Sequence, residues 1–180
     1  MKKALEDFTG TLGIGYLFSL GLFLLMDSSY KIHSSVQHVS TLKTWEILAA
    51  IPLLMVIYII GIVVIELSEI ILPGFFFKKT QKSFSAIIAK VVKHESELLQ
   101  TRYLIVLQHR RILNAGFLAF LVAGIGSYLD GVIYSEKTKL FGLAGLIVAI
   151  ILAIGCPLIS VRVQKNFLNE IAIIEKEVSS

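Results

Sequence analysis

Four long apolar blocks, separated by polar stretches, dominate the chain. They cover approximately residues 8–26, 45–72, 112–133 and 140–161. Each block is close to the ~20 residues that a helix needs to cross the hydrocarbon core of a bilayer. The apolar residues run continuously and do not alternate with polar ones, which favours helices over the strands of a membrane barrel. The pattern therefore predicts an all-α, polytopic membrane protein with four transmembrane helices.

The first block has an alternative interpretation as a cleaved signal peptide, because Lys2 and Lys3 precede it. Glu6 and Asp7 dilute that positive charge, no small-x-small cleavage motif follows Met26, and the block is long for the apolar part of a signal peptide. We therefore expect the first block to be a membrane helix.

The polar stretch between the second and third blocks has the spacing of a long amphipathic helix. Residues 82–111 contain no glycine or proline, and an unbroken helix of this length would extend about 45 Å. One apolar column in it repeats every seven residues: Phe84, Val91, Leu98 and Ile105. Glu95 and Arg102 lie on a neighbouring column, where packed helices form ion pairs. We expect the apolar column to pack against a second copy, a soluble partner, the C-terminal segment or the membrane.

The end of the chain predicts a further helix. Cys156-Pro157 should kink the last third of the fourth block, and a short helix of its own should follow over 163–178. Its apolar residues fall at helical spacing and need a packing partner: Phe167, Ile171, Ile174 and Val178. No breaker separates the amphipathic helix from the third block, so those two elements should form one continuous rod.

These elements divide the chain into a first transmembrane hairpin (1–74), an amphipathic basic helix (75–111), a second hairpin (112–161) and a C-terminal helix (162–180). Aromatic and basic residues lie at the ends of the second block, as is typical of anchors at the membrane interface. These anchors are Trp45, Phe75, Phe76, Phe77, Lys78 and Lys79.

The basic residues are distributed unevenly between the two sides of the predicted membrane. Of the 17 Lys and Arg residues, 13 lie in the first ten residues, the central segment and the tail, and four lie in the two remaining loops. Because basic residues in short loops mark the cytoplasmic side, we expect both termini and the amphipathic helix to be cytoplasmic.

Composition and motifs argue against a soluble enzyme. The chain is 56% hydrophobic and 17% charged, with a mean hydropathy of +0.80, and a soluble domain of this size needs more charge. Its single cysteine, Cys156, excludes a disulfide within the chain, and no phosphate loop or HExxH motif is present. We expect no catalysis, no metal and no cofactor. The basic helix lacks a recognised nucleic-acid-binding module, so direct nucleic-acid binding is not expected either.

Carboxylates in the apolar blocks are the candidate chemical groups. Glu66 and Glu69 lie one turn apart in the second block, and such residues often mark ion or proton paths. Counting from Trp45, Glu66 lies ~31 Å along the helix, at the inner interface, where an ion pair or a subunit contact is the alternative. The basic residues considered as ion-pair partners are Lys78, Lys79 and Arg110. Asp130, near the outer end of the third block, is expected to be a solvated helix-end residue or, alternatively, part of a pore mouth.

The layout of the whole chain resembles that of the small four-helix membrane subunit of the bacterial Kiwa anti-phage defence system. The shared features are four spans, a long cytoplasmic element over Phe75–Arg111 and a helical tail over Val163–Val178. The resemblance is one of architecture, with no motif that would transfer a role to a residue. It implies a homo-oligomer of the bacterial inner membrane that senses disturbance of the envelope and engages a soluble, nucleic-acid-acting partner from the cytoplasmic side.

We therefore expect a non-catalytic, homo-oligomeric membrane sensor or scaffold that lies in the lipid bilayer and engages a soluble cytoplasmic partner. Anti-phage defence is the context that the resemblance implies. The alternative is an oligomeric ion channel or a membrane-disrupting effector, with Glu66, Glu69 and Asp130 near the conduction path. A small-molecule transporter has less support, because the sequence shows neither a pair of discontinuous helices nor an inverted repeat.

Overall fold

Four long helices account for nearly all of the described chain in a computed structural model. The structure describes residues 2–30, 43–72, 97–134 and 136–179, and it describes the side chains of residues 7–30, 52–72, 101–133, 138–171 and 173. The helices are α1 (Lys2–Tyr30), α2 (Lys43–Ile71), α3 (Glu97–Tyr134) and α4 (Glu136–Ser179).

All four helices are long and apolar enough to cross a membrane. The candidate spans are Asp7–Tyr30, Pro52–Ile71, Thr101–Ile133 and Thr138–Ile171. Large apolar side chains cover the outward faces of these spans; Met55 is 63% exposed and Phe141 is 77% exposed. Lipid, and not water, is the solvent that accommodates such a surface. The predictions of a helical fold and of four candidate spans are confirmed over the described residues, and they indicate an integral membrane protein.

Helix α3 lies at the centre of the bundle, where it packs against the other three helices, and α1 also packs against α2. The core between α1, α2 and α3 combines branched aliphatic residues with alanines: Ile14, Val64, Ile65, Ala115 and Ala119. Because lipid tails are as apolar as these side chains, the helices are held together mainly by close packing of small groups.

Glycines permit the closest approach between helices α1 and α2. A Cβ atom at Gly61 would collide with the backbone carbonyl of Thr11, and a Cβ atom at Gly15 would collide with the backbone carbonyl of Ile57. Each helix therefore contributes one glycine against which the backbone of the other helix packs, a close contact that small residues allow in membrane bundles.

Helices α3 and α4 are longer than the membrane is thick. Their 38 and 44 residues correspond to about 57 and 66 Å, against ~30 Å of hydrocarbon. The apolar part of α3 begins after Arg111 and that of α4 ends before Arg162, so both helices extend about 25 Å further at this end. We call residues 97–111 of α3 and 162–179 of α4 the distal helix pair.

The tail is the end of α4 and does not form the separate short helix that the sequence predicted. Helix α4 is continuous from Glu136 to Ser179 and includes Pro157. Proline removes one backbone hydrogen bond, which a membrane helix tolerates when neighbouring groups compensate. Helix α3, in turn, passes without a break through Arg110 and Arg111, as the absence of a breaker predicted.

Candidate functional site

A cluster of three charged side chains lies where α2 meets α3. Arg111 Nη2 donates a hydrogen bond to Glu66 Oε1 at 2.5 Å. Arg111 Nε lies 3.3 Å from Glu69 Oε1, an ion-pair contact that does not have hydrogen-bond geometry. Glu66 and Glu69 face the same side of α2 because they are three residues apart. Two carboxylates therefore share one guanidinium.

This geometry favours the ion-pair interpretation of the two glutamates, with Arg111 as a partner that the sequence analysis did not name. Lys78 and Lys79 lie outside the described residues. The side chains of Glu66, Glu69 and Arg111 are 60%, 32% and 35% exposed. An ion pair of this exposure contributes about 1 kcal/mol or less to stability in water. Its effect is therefore to orient the three groups more than to hold the helices together. A role in ion conduction or in a subunit contact stays a prediction.

A cavity of about 150 Å³ adjoins this cluster, and we call it the junction cavity because three helices form its walls. Its lining residues are Thr11 from α1, Ile62, Ile65 and Glu66 from α2, and Gln108, Arg111 and Ile112 from α3. The hydroxyl of Thr11 donates to the backbone carbonyl of Asp7 at 2.9 Å. The junction cavity thus combines an ion pair, an amide and a hydroxyl with three isoleucines.

The distal helix pair is held together by apolar packing and by an ion pair. Phe167 and Ile171 of α4 are buried, and they pack with Tyr103 and Val106 of α3. Arg102 Nη1 lies 2.7 Å from Glu170 Oε2 across the same contact. A groove of about 340 Å³ runs between the two helices, lined by Arg102, Ile105, Val106, Val163, Asn166, Phe167 and Glu170.

Of the apolar column that repeats every seven residues, only the last member, Ile105, has a described side chain. Ile105 lines the groove and is 36% exposed, and Arg102 pairs with Glu170. The predicted partner of Arg102, Glu95, lies outside the described residues together with Phe84 and Val91. Leu98 belongs to α3, but its side chain is outside the described set. The role of the column in packing against a partner stays a prediction.

Four apolar residues at helical spacing near the C-terminus were predicted to need a packing partner. Two of them, Phe167 and Ile171, pack against α3. The other two members, Ile174 and Val178, belong to α4, and their side chains are not described. The interface anchors cannot be compared with the structure. Trp45 lies in α2 without a described side chain, and the remaining anchors lie outside the described residues: Phe75, Phe76, Phe77, Lys78 and Lys79.

Asp130 lies far from the other two acidic candidates, Glu66 and Glu69. It lies 19 residues after Arg111 on α3, which places it about 29 Å along the helix axis from the charged cluster. It is half-buried, one turn before the end of α3 at Tyr134, and its role as a solvated helix-end residue or as part of a pore mouth stays a prediction. The three carboxylates proposed for a conduction path are therefore at opposite ends of the bundle.

Sequence reasoning missed a set of buried polar residues on α3 and α4. Asn114, Ser160 and Gln164 are at most 2% exposed, and Gln164 Nε2 donates to Ser160 Oγ at 3.3 Å. Polar groups buried in a bundle are costly unless they are hydrogen-bonded. The available signal was a single polar residue inside an apolar run, as at Asn114. Among the described residues, no group of side chains could hold a metal ion.

Comparisons of the chain with protein-family models, with curated proteins and with solved structures find no match. The geometry of the chain itself therefore carries the functional argument.

Proposed function

We propose that the protein is a non-catalytic membrane scaffold or sensor that self-associates and presents the distal helix pair to a soluble cytoplasmic partner. The observation that carries this proposal is the packing of α3 against α4 beyond the ends of their long apolar runs, in helices of 38 and 44 residues. A protein that only needed to anchor itself would not require about 25 Å of paired helix outside the lipid.

The surface of the distal helix pair supports a role in binding. Leu104, Ile105 and Ile173 are exposed there, and Arg111 and Arg162 separate them from the long apolar runs of α3 and α4. Leu104 is 53% exposed and Ile173 is 58% exposed. Exposed aliphatic side chains in water, next to a groove, are typical of surfaces that another protein covers.

The distribution of basic residues supports the cytoplasmic orientation of this surface. The distal helix pair and its immediate ends contain Arg102, Arg110, Arg111, Arg162, Lys165 and Lys176. Arginine and lysine next to a span are retained on the cytoplasmic side. A soluble partner would therefore meet the distal helix pair from the cytoplasm.

The proposal is tested by placing a charge on the exposed aliphatic surface. We expect the double variant Leu104→Asp with Ile173→Asp to lose co-purifying partner or to fall to a smaller oligomer in detergent, because each substitution puts a carboxylate into an apolar contact. Asn169→Asp is the matched control, since Asn169 is an exposed polar residue of the same helix. The readouts are the mass of the detergent complex and the identity of the proteins retained on a C-terminal tag.

A wild-type protein that is monomeric and retains no partner would contradict the proposal. A soluble nucleic-acid-acting protein among the retained partners would support the anti-phage context, which rests on the layout of the chain alone. The channel alternative has less support, because Glu66 and Glu69 pair with Arg111 and lie far from Asp130. Ion flux across proteoliposomes that contain the purified protein would favour that alternative instead.

A further inference from the structure

We propose that the junction cavity binds the headgroup of a phospholipid that carries a primary ammonium, that is, an ethanolamine phospholipid. This inference goes beyond the scaffold function and does not depend on it. It rests on the position of the cavity, on its charge and on the hydrogen-bonding groups in its wall.

The junction cavity lies where a lipid changes from polar headgroup to hydrocarbon chain. Arg111 and Gln108 are in the wall on the side of the distal helix pair, and Ile112 begins the apolar part of α3. Ile62 and Ile65 supply the apolar surface of α2. The volume of about 150 Å³ is several times the ~30 Å³ of one water molecule, so the cavity has room for a polar group of several heavy atoms.

The charge of the cluster favours a ligand with a cationic end. Glu66 and Glu69 together carry two negative charges against the single positive charge of Arg111, which leaves a formal charge of −1. An anionic headgroup such as phosphoglycerol would meet this net negative charge, and like charges repel. The Glu66 side chain is 60% exposed, so its carboxylate can accept a further hydrogen bond while it remains paired with Arg111.

The hydrogen-bonding groups distinguish ethanolamine from choline. A primary ammonium has three N–H donors for a carboxylate such as Glu66, whereas a quaternary ammonium has none. The phosphate of the same headgroup needs donors, and the guanidinium of Arg111 and the amide of Gln108 are both in the cavity wall. The lipid chains would then lie along Ile62, which is 42% exposed on the outward face of α2.

The test measures the binding of three phospholipids with identical acyl chains to the purified full-length protein by native mass spectrometry. We expect the ethanolamine lipid to bind about tenfold more tightly than the choline lipid, which corresponds to one charge-assisted hydrogen bond. The glycerol lipid should bind no more tightly than the choline lipid. Soluble phosphoethanolamine at the same concentration should not compete, because it lacks the chains that would contact Ile62.

Glu66→Gln should remove the preference, because a neutral amide attracts an ammonium less strongly than a carboxylate does. Glu170→Gln is the matched control, since it removes a carboxylate that is 53% exposed from an ion pair of the distal helix pair. Equal binding of the ethanolamine and choline lipids by the wild type would overturn the proposal, whether or not the variant folds. Retention of the preference in Glu66→Gln would overturn it too, and competition by soluble phosphoethanolamine would assign the cavity to a free metabolite instead.

Discussion

Arg111 is the residue on which the charge balance at the contact between α2 and α3 depends. Both Glu66 and Glu69 pair with its guanidinium, and Arg111 directly precedes the apolar run of α3 that begins at Ile112. The sequence showed the two carboxylates clearly, because charged residues stand out in an apolar block. It named Arg110 as a candidate partner and not Arg111, since adjacent residues on a helix point about 100° apart and only the packing of α3 fixes which one faces α2.

The substitution Arg111→Met keeps a long side chain but leaves two like charges one turn apart. We expect the unfolding temperature in detergent to fall by about 2–4 °C, which corresponds to about 1 kcal/mol for a partly exposed pair. A thiol-reactive dye can report the transition, because the single cysteine, Cys156, is buried in the folded protein. Arg102→Met is the control, because it makes the same chemical change at another ion pair, the one between Arg102 and Glu170 in the distal helix pair. An Arg111→Met protein as stable as the wild type would show that the cluster does not contribute to the fold.

The approximate positions of the four helices were predictable, because a continuous apolar block that crosses a bilayer must form a helix to satisfy its backbone hydrogen bonds. The continuity of α4 was not, since the sequence predicted a separate helix over 163–178 where α4 continues from Glu136 to Ser179. The ion pair of Arg102 was not predictable either, because Glu170 is 68 residues away in sequence and comes close only through the packing of α3 against α4. Periodicity shows which residues share a face, but the identity of the facing helix depends on the whole bundle.

The contact between α1 and α2 depends on glycine, and a pair of matched substitutions can measure this. A Cβ atom at Gly61 would overlap the carbonyl of Thr11, whereas a Cβ atom at Gly13 would have no neighbour within 4 Å. We expect Gly61→Ala to lower the unfolding temperature by about 2–10 °C, because overpacking of a tight contact costs about 1–3 kcal/mol.

Gly13→Ala should leave the unfolding temperature unchanged or raise it slightly, since alanine is the better helix former. The two variants make the same chemical change, so their difference isolates the effect of the helix contact. Equal stability of both variants would mean that α1 and α2 do not approach each other in this way.

The two ends of the described helix bundle differ. At one end α3 ends at Tyr134 and α4 begins at Glu136, and Thr138 Oγ1 donates a hydrogen bond to the backbone carbonyl of Gly131 at 3.1 Å. At the other end both helices continue past their long apolar runs and carry the ion pair and the groove of the distal helix pair. The proposed functions therefore depend on which side of the membrane this extended end occupies.

Cysteine labelling in spheroplasts can determine that side. In a Cys156→Ala background, Lys139→Cys and Lys165→Cys each place one thiol at an exposed lysine position, near opposite ends of α4. Because 13 of the 17 basic residues fall in the sequence segments that the four-span topology assigns to the side of the distal helix pair, we expect that side to be cytoplasmic. A membrane-impermeant maleimide should then label Lys139→Cys in intact spheroplasts and Lys165→Cys only after lysis. The reverse pattern would place the groove outside the cell, where no soluble cytoplasmic partner could reach it, while the four spans would remain as described.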